Sequence, residues 1–112
     1  MKIGNIKIRG HIWIENANGH LIGPGRKALL ESIRNNGSIK LAAKELKMSY
    51  RHAWEMINEM NKTAPRPIVS KIVGGQNGGG TTINKDGEKL IDAFNKLQKA
   101  FEKFKKDMNK TL

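Results

Sequence analysis

The chain has no cysteine, no long apolar run and few acidic groups, and each shortage removes a class of function. Without thiols, disulfides and thiolate metal sites are excluded, and a reducing compartment is compatible. No stretch approaches the roughly 18 apolar residues of a membrane helix. The N-terminus lacks the charged start, apolar core and small-residue cleavage site of a signal peptide. A soluble, cytoplasmic protein with no membrane partner is therefore expected. His11, His20 and His52 lie far apart, without the short spacings of a zinc site, so neither a metal nor a cofactor is expected. No Ser/His/Asp or Cys/His arrangement stands out, and the carboxylates fall mostly where helix faces place them, so an enzyme is not expected.

What the chain does have is positive charge. Lys and Arg total 21 against 10 Asp and Glu, a net +11, which points to a polyanionic partner: DNA, RNA or an anionic surface. The charge runs through the whole length, so it is not a basic tail. At 112 residues there is room for one small domain and an extension, with a core that can be completed across a dimer interface.

Along the chain, apolar residues alternate from Ile3 to Ile14, predicting one or two strands, and Asn18-Gly19 predicts a turn after which Leu21-Ile22 pairs back. Gly23-Pro24-Gly25 breaks the pattern. A first helix follows over 26–35, ended by Asn36-Gly37. Ser38 is placed to cap a short second helix over 39–46, and Ser49 to cap a third over about 50–62 with Ala53, Trp54, Ile57 and Met60 or Met56 inward. Two capped helices joined by the tight Lys47-Met48 turn have helix-turn-helix spacing. The turn residue in this motif often takes positive φ, a cost of about 1 kcal/mol for Lys47 relative to glycine. Pro65 and Pro67 stop the third helix. Residues 68–73 and Thr81-Thr82-Ile83 then predict a β-hairpin with a glycine-rich tip, Gly74 to Gly80, and Asn84 can cap a last helix. The expected fold is α+β, mainly α: a winged helix-turn-helix with an N-terminal strand or hairpin over 1–83, then a long dimerisation helix over 84–112.

The third helix, 49–62, is the expected recognition helix, its N-terminal end in the major groove of double-stranded DNA. Ser49, Tyr50, Arg51 and His52 stand at that end. Arg51 is the first choice for a base contact, because a guanidinium can bind guanine in bidentate fashion. Ser38, Lys62, and Lys71, Gln76, Asn77 and Thr81 of the wing over 71–82 complete the expected DNA-binding set, the wing lying on the adjacent backbone. A flexible connector is the plainer reading of the glycines. A nucleotide loop fits poorly, because the phosphate-reaching lysine is absent and a β-like segment follows. Leu90, Phe94, Leu97, Phe101, Phe104 and Met108 recur every three or four positions and draw a narrow stripe that a second copy would cover, predicting a homodimer. A nonspecific architectural protein is the competing function, using the same charge without base readout.

Gly37-Ser38-Ile39, Ala42-Ala43, Ser49 to Trp54, Ile57 to Asn61, Gly74 to Gly80 and Gly87 resemble the N-terminal DNA-binding domain of ModE, the molybdate-responsive transcriptional regulators. The resemblance spans roughly residues 22–100, and the motif is also similar to that of LysR-type regulators. It implies a winged-helix dimer joined through a long helix, with Asn84 where the family usually has a capping Thr. ModE proteins continue into a molybdate-binding region, so molybdate binding is not carried onto these residues.

Overall fold

The structure, a computed structural model, describes residues 4–72 and 80–112. Two short strands, β1 (Ile14–Asn16) and β2 (Gly19–Ile22), form a hairpin and lead into α1 (Pro24–Asn36), α2 (Ile39–Glu45) and α3 (Tyr50–Thr63). A second hairpin, β3 (Val69–Ile72) with β4 (Gly80–Ile83), precedes α4 (Lys85–Asn109).

Local chemistry sets the helix boundaries. Pro24 sits in the first turn of α1, where its missing N–H costs nothing, and Gly37 closes the helix at φ 66°, accessible because glycine has no Cβ. Ser38 Oγ accepts from the Leu41 amide, Ser49 Oγ from His52 and Asn84 Oδ1 from Gly87, so all three expected caps are formed. Lys47 has φ 55°, the only positive value outside glycine among the described residues, as the tight turn requires.

The core is built from Ile22, Leu29, Leu30, Ile33, Ile57 and Met60, closed by Ile91 and Phe94 of α4. Ala42, Ala43 and Ala53 are buried where α2 and α3 meet, small enough to let the backbones approach. Trp54 and Met56 are only half-buried, at the edge of that core. Asn61 fastens α3 to the second hairpin: its Oδ1 accepts from the Ile68 and Val69 amides at 2.8 and 3.2 Å, and its Nδ2 donates to the Val69 carbonyl at 3.0 Å. Asn16 does the same for the first hairpin, donating to the Thr63 carbonyl at 2.8 Å.

Two expectations need correction. Residues 5–13 form no strand, because no neighbouring strand offers a ladder; residues 7–11 run instead beside the distal turns of α4, the Ile8 amide donating to Asn109 Oδ1 at 2.7 Å. Phe94 does not belong to an intermolecular seam. It is fully buried in its own domain, as is Ile91, and Leu90 packs half-buried against the same core. The first three turns of α4 therefore belong to the winged domain, and only the helix beyond Phe94 projects from it. The molecule is accordingly elongated, 63 × 30 × 20 Å.

Candidate nucleic-acid interface

The α2–α3 turn brings the start of α3 to the surface. With Ser49 occupied as the cap, the next residues are free to face outward: Tyr50 is 51% exposed and the Arg51 side chain 90%. Arg51 pairs with Glu55, one turn later, with Nε 3.2 Å from Oε1. Tyr50 stands edge-on to Trp54 at 6.2 Å between ring centroids. Trp54 in turn carries Lys71 of β3, whose Nζ lies 4.6 Å from the ring centroid. That contact is a second link between α3 and the second hairpin, beside the Asn61 hydrogen bonds, and neither periodicity nor motif reveals it. Glu59, further along α3, is held by Arg26 at 2.7 Å, while Arg26 also donates to the His20 carbonyl at 2.6 Å.

Ser49, Tyr50, Arg51, His52 and Lys71 are thus brought into one region, the first turns of α3 and the base of the hairpin. Ser38 caps α2 and is half-buried. Lys62 is exposed but lies eleven residues after Arg51, so about 16 Å along the helix axis, outside the cluster. Thr81 is a correction: it is buried, 8% exposed, and its amide donates to the Gly37 carbonyl at 3.0 Å, so it anchors β4 to the end of α1 rather than presenting a hydroxyl. Gln76 and Asn77 lie outside the described residues. Lys71 pairs with Thr81 and Ile72 with Gly80 in the antiparallel register that leads to the hairpin tip.

The cluster holds cations and hydrogen-bond donors. Among the described residues no three His, Asp or Glu side chains gather as a metal site, and no helix is long and apolar enough to cross a membrane. Charge pairing outside the cluster stiffens the frame. Arg34 of α1 is raised above the ordinary guanidinium range by its hydrogen bond to Glu88 of α4, at 2.9 Å.

No protein-family model matches the chain. Over 81 residues, 72% of the chain, it is 42% identical to the transcriptional regulator ModE of Haemophilus influenzae. It is 40% identical over 83 residues to the DNA-binding transcriptional dual regulator ModE of Escherichia coli K12. The chain is thus similar to ModE regulators over most of its own length. A third relative, the molybdenum-pterin-binding protein MopB of Rhodobacter capsulatus, is 37% identical over 94 residues. The chain spans about a third of the length of these relatives, 32%, 32% and 35% in turn. In three dimensions it matches the crystal structure of the S. aureus MepR-DNA complex with a TM-score of 0.57 over 81% of this chain and 65% of that one. At 16% identity, that likeness is one of fold: a winged helix with a long C-terminal helix.

Proposed function

We propose that the chain is a sequence-specific regulator of transcription that binds double-stranded DNA as a homodimer. The observation that carries this reading is the exposed start of α3, with Arg51 90% exposed beside a hairpin base bearing Lys71. A helix end of this kind fits the major groove, where a guanidinium meets the two acceptors of guanine, while the hairpin meets phosphates alongside. Relatives named as transcriptional regulators support it, as does the net +11.

The dimer is supported by apolar area left uncovered on α4. Leu97, Phe104 and Met108 are 47%, 52% and 37% exposed, on the part of the helix that projects beyond the core. Apolar surface of that kind on one helix face is stable in water when a second copy covers it. Two recognition helices would then read a roughly palindromic operator, with half-sites about one helical turn apart or a multiple of it.

Competition tests the reading. Binding to DNA upstream of the gene's own operon should survive an excess of random duplex at moderate salt. Its disappearance under that excess would assign the protein to nonspecific architectural binding instead.

A further inference from the structure

Away from α3, residues 7–11 run along the distal turns of α4 and enclose a groove of about 910 Å³. Its walls carry Lys7, Arg9 and His11 from the strap and Lys105, Lys106 and Glu102 from the helix. The strap is held by specific contacts. Beyond the Ile8–Asn109 bond, Lys105 Nζ donates to the Gly10 carbonyl at 3.3 Å and lies 4.9 Å over the Phe101 ring. Gly10 lies against that ring, since a Cβ there would come within 3.6 Å of Phe101. Exposure alternates along the strap: Ile6 and Ile8 are half-buried, Lys7 and Arg9 exposed, so an extended backbone displays the two cations on one side.

The charges in this groove do not balance. Glu102, its one carboxylate, is taken by Lys105 at 2.8 Å. Among the described residues, Lys7, Arg9 and Lys106 have no carboxylate partner. Three uncompensated cations on the walls of one concavity repel each other, and the field they focus favours an anion that spans them. Lys105 lies eleven residues beyond Phe94, so the groove stands about 16 Å along α4 from the core.

We infer that this groove is a second phosphate-binding surface, which takes the sugar-phosphate backbone of nucleic acid without reading bases. The inference rests on the proposed DNA partner but adds a contact outside the helix-turn-helix and the hairpin.

The test uses the full chain with Lys7→Ser, Arg9→Ser and Lys106→Ser combined, on an operator duplex with long flanks and on one trimmed to the operator. On the flanked duplex the slope of log K against log salt should fall by about two to three per protomer. The ratio of operator to random affinity should stay unchanged. Circular dichroism and sedimentation establish that the variant keeps its fold and assembly. Should the triple variant not fold, Lys7→Gln and Arg9→Gln singly should each lower the slope by about one. Wild-type protein that binds no duplex overturns both this inference and the proposed function. Wild-type binding with an unaltered slope in the variants overturns the groove alone. Tripolyphosphate that shifts the amide resonances of residues 7–11, with that slope still unaltered, would move the groove to free oligophosphates and overturn the nucleic-acid source.

Discussion

Among the described residues Arg51 pairs with Glu55, and magnitudes decide which interaction it keeps. An exposed i,i+4 pair such as Arg51–Glu55 is worth about 0.3–0.5 kcal/mol, whereas a bidentate contact to guanine is worth about 1–3 kcal/mol of discrimination. The guanidinium is free to leave Glu55 for a base. Arg51→Ala should therefore cost about 1–3 kcal/mol at the operator and relax preference at one base position, measured by anisotropy on single-base variants. Equal losses on operator and random DNA would make Arg51 a phosphate contact. Lys47 is a different case, because its side chain is exposed and its backbone is strained at φ 55°. Lys47→Gly should raise stability by about 0.5–1 kcal/mol, a rise of a few degrees in Tm. A lower Tm would show that the lysine contributes a contact outweighing the strain.

At the scale of elements, the crossing of α4 over the second hairpin depends on Gly87. A Cβ there would sit 2.5 Å from Ile83 Cγ2 and 2.8 Å from the Ile68 carbonyl oxygen, and the carbonyl is backbone that cannot swing aside. Asn84 holds the same crossing, accepting from the Gly87 amide and donating to the Pro67 carbonyl. Gly87→Ala should cost about 1–3 kcal/mol in denaturant unfolding, the usual penalty for overpacking. A neutral result would mean that the hairpin can slide on the helix. The role of Gly87 cannot be read from the sequence, because the atoms it makes room for are non-local. Caps were legible for the opposite reason: Ser38, Ser49 and Asn84 bond to amides three residues away. The alternation before Ile14 misled because strand formation needs a partner that the sequence does not point to. Asn61 and Trp54 are likewise explained only by the hairpin that folds against them.

The whole molecule raises the question of what the projecting half of α4 does. A stripe at three- and four-residue spacing reveals that a helix face is covered, not by which chain. Here the answer changes along the helix: Phe94 is sealed in its own core, Phe101 is half-buried beside Gly10 of the strap, and Phe104 is 52% exposed. Phe101 and Phe104 stack at 6.3 Å between centroids, so the covered ring supports the open one. Charging Phe104 therefore separates assembly from folding better than charging Phe101, whose contacts are partly within the chain. Phe104→Glu should yield a monomer by sedimentation, lose most operator affinity and keep its thermal unfolding transition, because no core residue is disturbed. Phe94→Ala is the contrast: it should lose about 3–5 kcal/mol of stability by opening a cavity in the domain itself. A Phe104→Glu protein that stays dimeric, or a wild type that is monomeric at micromolar concentration, would show that the open face of α4 is not where two copies meet.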